Sequence, residues 1–312
     1  MINRRLIRIK VFQALFGDFG QENTRPSTII NNVKQSIFGL ENNLLSVFNF
    51  GPELSHFVES EHNPSELKYN PTEDDIKCFR LITENPFFKD LSENEDFKKY
   101  SAKPTIDWQQ EKDSMFLIYK EIKKTDTFKI AMVTPLNEQN QFEIAKYLYK
   151  HLLLESVEFE QLMEDKIIFW YDEKIPILKT IERVLNAYDE DGSIELPKIQ
   201  KIGSEELEMA EEIISNCFEH RAEIEESINE YTPGWDSDRI TKIDFVLMVM
   251  ALCEFKYMPM IPVKVTLNEY IEIAKMYSTP KSSKFLNGTL DKILQDWTSK
   301  KLISKKGRGL IG

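Results

Sequence analysis

The stretch from Asp238 to Lys256 constrains the fold most, because at helical spacing its apolar side chains point to nearly every side. It includes an unbroken apolar run from Phe245 to Cys253. A helix of this kind must be surrounded by other elements, so the pattern predicts the central buried helix of a helical protein. Only 11 of the 312 residues are glycine, which also favours helices over turn-rich sheets. We therefore predict an all-α fold.

Composition and charge narrow the class of protein further. The chain is 41% hydrophobic and 29% charged, which is typical of a globular protein and excludes a disordered one. Its formal charge of −12 argues against a surface that is basic throughout, but it does not show how charge is distributed. Cys78, Cys217 and Cys253 are isolated, so neither a disulfide framework nor a zinc site is expected. Without a signal peptide or an apolar run of roughly 18 residues, the sequence predicts a cytoplasmic protein outside the membrane.

Helical periodicity continues along most of the chain. Asn3 can cap a first helix in which Arg4, Arg5 and Arg8 project to one side. Further helices, many of them separated by connections that contain proline, are predicted at residues 27–60, 72–84, 108–124, 141–165, 166–188, 205–231, 238–256, 267–277 and 280–297. The segment after Thr298 is basic, and we expect it to be a flexible tail.

Motifs of common enzyme classes are not found. The sequence has no glycine-rich phosphate or dinucleotide loop, no metalloprotease motif and no nucleophile elbow, and its four histidines are scattered. The segment from Asp189 to Ile194 resembles part of a calcium loop, but Ala187 and Lys198 would occupy two essential ligand positions. We interpret it as a turn. No catalytic residue, metal ion or cofactor is expected.

Two separated segments then point to one family. In order along the chain, the C-terminal segment contains Trp235, Asp238-Arg239, Ile243-Asp244, Pro262-Val263-Lys264, Asn268-Glu269, Ala274-Lys275, Lys284-Phe285-Leu286-Asn287-Gly288 and Leu290-Asp291. This segment resembles the NusB family of transcription antitermination factors. The arginine-rich first helix, RRLIRIKVFQALF, is similar to the first helix of the same family.

The resemblance implies a NusB-like helical bundle with an additional helical insertion. Residues 1–60 would form the N-terminal helices of the core, 61–202 the insertion, 203–298 the C-terminal core and 299–312 the basic flexible tail. Gly288 lies inside a predicted helix, where it costs stability, so we expect it to permit close approach of backbone or ligand.

The resemblance also implies a function. Family members bind boxA-type single-stranded RNA together with the small-subunit ribosomal protein that doubles as NusE, and they load on RNA polymerase within the antitermination complex during ribosomal RNA transcription. Carried over position by position, the RNA-binding candidates are Arg4, Arg5, Arg8, Lys10, Lys281 and Phe285. By the same comparison, the candidates for binding the NusE-type protein are Phe16, Asp238 and Asp244.

Several alternatives stay open at this point. The arginines of the first helix either contact RNA or are only solvated charges on a packed helix, and Phe285 either stacks on a base or belongs to the core. The acidic charge and the long insertion favour, as the alternative function, a NusB-like protein-interaction scaffold that does not bind RNA. NusB-like modules also precede ribosomal RNA methyltransferase domains, but the absence of a glycine-rich cofactor loop argues against that enzyme class.

Overall fold

In a computed structural model, the described residues 3–18, 24–101, 104–196, 204–232 and 241–310 form helices and no strands, which confirms the all-α prediction. The α-helices are α1 (Arg4–Asp18), α2 (Pro26–Glu61), α3 (Pro64–Leu67), α4 (Glu73–Thr83), α5 (Pro86–Glu93), α6 (Glu95–Ser101), α7 (Lys112–Lys124), α8 (Asp126–Val133), α9 (Glu138–Leu154), α10 (Val157–Lys166), α11 (Trp170–Asp191), α12 (Ser204–Glu219), α13 (Arg221–Tyr231), α14 (Lys242–Tyr257), α15 (Val263–Tyr277) and α16 (Pro280–Ser299). Within the same described ranges, short 3-10 helices lie at Trp108–Gln110 and Gly307–Leu310.

The chain divides into two compact units. We call residues 38–200 the insertion unit, and residues 2–37 with 201–312 the core unit. The boundary between residues 37 and 38 therefore lies inside α2, whereas the sequence predicts a boundary near residue 60. The apolar stripe of α2 explains the difference, because Ile29 and Val33 are buried before the division and Leu44 and Phe48 are buried after it.

Helix α14 is the centre of the core unit, as its apolar pattern predicts. Its residues 246–255 are all buried, and it packs against α1, α12, α13, α15 and α16. Thr241 caps the helix by accepting a hydrogen bond from the Asp244 amide at 3.1 Å.

The insertion unit has its own aromatic core. The ring of Phe50 lies edge-on to Trp108 with centroids 5.0 Å apart, and Phe159 stacks on the same tryptophan at 6.2 Å. Trp170 lies edge-on to Phe159 at 6.1 Å. Rings from α2, α10, α11 and the first 3-10 helix thus bury one another, so this unit contains a hydrophobic core of its own.

Two predicted helices are each divided in the structure. The stretch 141–165 forms α9 and α10, because Ser156 caps α10 by accepting a hydrogen bond from the Phe159 amide at 3.2 Å. The stretch 205–231 forms α12 and α13, which are separated at His220. The calcium-loop-like segment ends α11, where Gly192 adopts the left-handed conformation with φ 74°.

The basic tail, which the sequence predicts to be flexible, packs against the C-terminal end of α14 and the turn that follows it. The Lys305 ammonium donates to the backbone carbonyls of Glu254 and Met258 at 3.0 and 2.9 Å, and the Lys306 amide donates to the Pro259 carbonyl at 2.9 Å. Burial lowers the pKa of Lys305 to about 8, although the Glu254 charge acts in the opposite direction. The tail therefore holds the C-terminal end of α14.

Candidate functional site

The first turn of α1 presents two of the predicted arginines. Asn3 caps the helix by accepting a hydrogen bond from the Leu6 amide at 2.8 Å, and Arg4 is exposed. The side chain of Arg5 is 41% exposed and donates twice to Glu269 of α15, from Nε at 2.7 Å and from Nη2 at 2.9 Å. These hydrogen bonds raise the pKa of Arg5. Because a guanidinium has five N–H groups, Arg5 is held in place and still has donors beyond those Glu269 uses.

Arg8 differs from its neighbours because it is buried. It is 1% exposed, and its Nε and Nη2 donate to Glu254 of α14 at 2.9 and 2.7 Å. Burial by itself lowers the pKa of Arg8, but the charge and hydrogen bonds of Glu254 outweigh burial and raise it. The hydroxyl groups of Thr266 and Tyr270 also donate to Glu254. Arg8 thus ties α1 to α14 and α15.

Arg8 and Lys10 differ from the other predicted RNA-binding residues because both are buried. Both were candidates for RNA contact, yet Lys10 is only 2% exposed. Arg8 borders the cleft described below, but it is almost completely buried and already paired with Glu254, and Lys10 is buried as well, so neither side chain is open to a phosphate as Arg4 is. Of the four cations of α1 that the sequence singled out, Arg4 and Arg5 remain accessible.

A cleft of about 620 Å³ lies beside Arg4 and Arg5. Its lining comes from α1, from the turn between α14 and α15, from α15 itself and from the C-terminal 3-10 helix. Met260 and Val265 contribute apolar surface and are 54% and 42% exposed. Arg308 contributes another guanidinium, and Glu269 is the carboxylate in the lining. The cleft thus combines cationic groups with exposed apolar groups.

The remaining RNA candidates lie on α16. Lys281 is exposed in the first turn, and Phe285 follows one turn later and is partly exposed. Gly288 continues the same face at the next turn, and a Cβ added there would meet no heavy atom within 4 Å. The space that glycine leaves open is thus not occupied by protein. None of these residues lines the cleft beside α1.

The three partner-binding candidates have different environments. Phe16 is partly exposed, with its ring 5.8 Å from Phe12 and the Lys242 ammonium 4.7 Å from its centroid. Asp244 is 2% exposed, and its Oδ1 has no hydrogen-bond partner in the described part of the chain. Asp238 lies outside the described residues. Of this set, the structure places Phe16 where a partner can reach it.

The negative charge of the chain belongs to the insertion. Residues 38–200 contain 32 acidic and 19 basic residues, a formal charge of −13, whereas the rest of the chain contains 20 acidic and 21 basic residues, a formal charge of +1. The formal charge of −12 for the whole chain therefore does not describe the core unit, to which the arginines of α1 belong. A core unit near neutrality removes the electrostatic objection to an anionic ligand at α1.

Comparison with known proteins decides the family. The model of the NusB family matches residues 170–295. The NusB transcription antitermination protein of Finegoldia magna is 38% identical over 108 residues, which cover 79% of that protein and 35% of this chain. The chain belongs to the NusB family. The match to the family model begins at residue 170 and therefore includes α11, although the sequence alone places α11 in the insertion.

This chain aligns with only part of the length of two other NusB proteins. The one from Chloroherpeton thalassium is 42% identical over 99 residues, 32% of this chain and 47% of that protein. The one from Methylacidiphilum infernorum is 39% identical over 95 residues, 30% of this chain and 66% of that protein. The chain thus spans about half of the first and about two thirds of the second. No solved structure matches.

No described helix is both long enough and apolar enough to cross a membrane. Within the described ranges, no group of three or more His, Cys, Asp or Glu side chains is placed to hold a metal ion.

Three of the groups that build this site, Glu254, Glu269 and Arg308, are not identified as site residues by the sequence alone. Glu254 and Glu269 determine which arginine is buried and which is held at the surface, but each lies more than 240 residues from its partner. Arg308 was assigned to a flexible tail. A signal was present in Gly307 and Gly309 on either side of it, because paired glycines permit a close backbone approach.

Proposed function

We propose that this protein is a transcription antitermination factor that binds boxA-type single-stranded RNA together with a NusE-type ribosomal protein, within the RNA polymerase complex that transcribes ribosomal RNA. Membership of the NusB family supports this proposal, and the accessible guanidinium groups at the start of α1 carry it. Arginine suits the task because its planar fork binds phosphate and its face stacks on unpaired bases. The proposal includes no catalytic step.

Two surfaces of the core unit share the RNA in this proposal. Arg4 and Arg5 bind phosphates beside the cleft, while on α16 Lys281 binds a phosphate and Phe285 stacks on a base. Arg8 holds the first surface in place through Glu254 and does not touch RNA. The NusE-type protein contacts Phe16 and Asp238, whereas Asp244 is omitted because it is buried.

The test is fluorescence anisotropy with a labelled boxA-like RNA and a scrambled RNA, with and without the NusE-type protein, over a series of KCl concentrations. We expect wild type to prefer the boxA-like RNA and to bind it more tightly with the partner. Arg4→Ala should weaken binding about fivefold to tenfold. The slope of log K against log [KCl] should become shallower by about one, because one phosphate contact is lost. Lys150→Ala, an exposed lysine of α9 in the insertion unit, is the matched control.

The acidic insertion supports the alternative function, a scaffold without RNA binding. A unit with a formal charge of −13 is electrostatically complementary to a basic protein. This alternative predicts that wild type and Arg4→Ala bind RNA equally weakly at every salt concentration. That result would exclude the proposed antitermination function.

A further inference from the structure

The C-terminal tail of this chain forms one wall of the cleft beside α1. The family match ends at residue 295, and Arg308 lies beyond it in the 3-10 helix Gly307–Leu310. Arg308 nevertheless lines the same cleft as Arg4 and Arg5. The cleft is thus completed by a segment that the family comparison does not cover.

The tail is held there by specific packing. The ammonium group of Lys305 binds two carbonyls at the end of α14, and the Lys306 amide binds the Pro259 carbonyl. Gly309 is buried, and a Cβ added to it would overlap the Pro259 carbonyl oxygen. Gly307 has a φ of 52°, a conformation that glycine adopts without strain. The two glycines and Lys305 therefore hold Arg308 at a fixed point of the molecule.

The chemistry of the cleft favours a single-stranded nucleic acid. Exposed Met260 and Val265 offer apolar contacts to the faces of unpaired bases, while the surrounding guanidinium groups can bind phosphates or stack on those bases. Glu269 is already paired with Arg5, so it does not leave an isolated negative charge against the ligand. An acidic peptide would use the cations but would leave the apolar groups without a matching surface.

We propose that Arg308 is an RNA-binding residue, and that the C-terminal 3-10 helix Gly307–Leu310 extends the RNA site of α1 by one phosphate contact in the cleft shared with Arg4 and Arg5. This inference rests on the proposed function, because it adds a contact to the same RNA. It differs in assigning RNA recognition to a segment beyond the family match.

The experiment uses the full-length chain and a fluorescein-labelled boxA-like RNA in anisotropy titrations at several KCl concentrations. Arg308→Ala should weaken binding about fivefold to tenfold. It should also make the slope of log K against log [KCl] shallower by about one, because one phosphate contact is lost. Lys306→Ala is the matched control, since it removes an exposed charge from the same tail without changing the lining of the cleft. We expect this control to change binding by less than about twofold. Circular dichroism of each variant checks that the fold is retained.

The outcomes separate this inference from the proposed function. If Arg4→Ala weakens binding and Arg308→Ala does not, the tail has no role in recognition and the proposed function stands. Equal losses in Arg308→Ala and Lys306→Ala would show a general charge effect and would overturn the specific contact. If wild type does not bind the RNA at all, both proposals fail. Tighter binding of hexaglutamate than of RNA, lost in Arg308→Ala, would assign the cleft to an acidic peptide instead.

Discussion

At the scale of single residues, the buried pair of Arg8 and Glu254 connects α1 to the central helix α14. Both side chains are almost completely buried, and Glu254 accepts hydrogen bonds from Arg8, Thr266 and Tyr270. A buried carboxylate is tolerated when its lone pairs are satisfied in this way. Removing one partner destabilises the fold strongly, because the other charge remains in the interior without a counter-charge.

We therefore expect Glu254→Gln to lower the free energy of unfolding of the core unit by about 3–5 kcal/mol, because it leaves the Arg8 cation buried and unpaired. The double variant Arg8→Met/Glu254→Gln should recover much of that loss, since no charge is buried, the amide oxygen can accept from one of the Thr266 and Tyr270 hydroxyls, and the amide NH2 can donate to the other. Urea unfolding followed by circular dichroism measures both.

Arg221→Ala is the matched control for this prediction. Arg221 belongs to an i,i+4 pair with Glu225 whose side chains are 47% and 35% exposed, so its removal should cost less than about 1 kcal/mol. If the double variant is no more stable than Glu254→Gln, an unpaired buried charge is not the source of the loss.

At the scale of elements, α2 shows how a long helix accommodates an internal proline. Pro52 has no N–H, so it cannot donate to the Phe48 carbonyl one turn earlier. The hydroxyl group of Tyr149 from α9 donates to that carbonyl instead, at 2.7 Å. Gly51 makes room for it, because an added Cβ would lie 2.6 Å from the Tyr149 hydroxyl oxygen. The helix thus continues past Pro52, and the buried Phe48 carbonyl accepts its hydrogen bond from a neighbouring helix.

Tyr149→Phe should lower the free energy of unfolding by about 1–3 kcal/mol, because it leaves the buried Phe48 carbonyl without a donor. Adding Pro52→Ala should recover part of this loss, since the alanine supplies the backbone N–H that proline lacks. A double-mutant cycle measured by urea unfolding gives the coupling energy. Tyr147→Phe, two residues earlier on α9 and partly exposed, is the control. Coupling near zero would mean that the hydroxyl does not replace the missing helical donor.

At the scale of the whole molecule, the two units differ in charge and in core. Residues 38–200 carry a formal charge of −13, whereas the rest of the chain carries +1, and residues 38–200 also bury their own set of aromatic rings. A segment with its own hydrophobic core can fold without the rest of the chain.

We expect residues 38–200, produced alone, to be helical and to unfold cooperatively, with a near-ultraviolet circular dichroism signal from the buried Trp108. Phe50→Ala in the same fragment should lower its free energy of unfolding by about 3–5 kcal/mol, because the ring that packs edge-on against Trp108 is removed. A fragment that is helical but has no near-ultraviolet signal and no cooperative transition would show that this core needs the remaining chain.

The helical class, the buried central helix α14 and the arginine-rich start of α1 could all be predicted from the sequence, because they depend on periodicity and caps within one segment. The tertiary structure decided which of three neighbouring arginines is buried and where Arg308 lies. Those outcomes depend on partners far along the chain: Glu254 for Arg8, and the Pro259 turn for the tail. A local pattern shows that a side chain is cationic, but only packing shows whether water, a carboxylate or a cleft surrounds it.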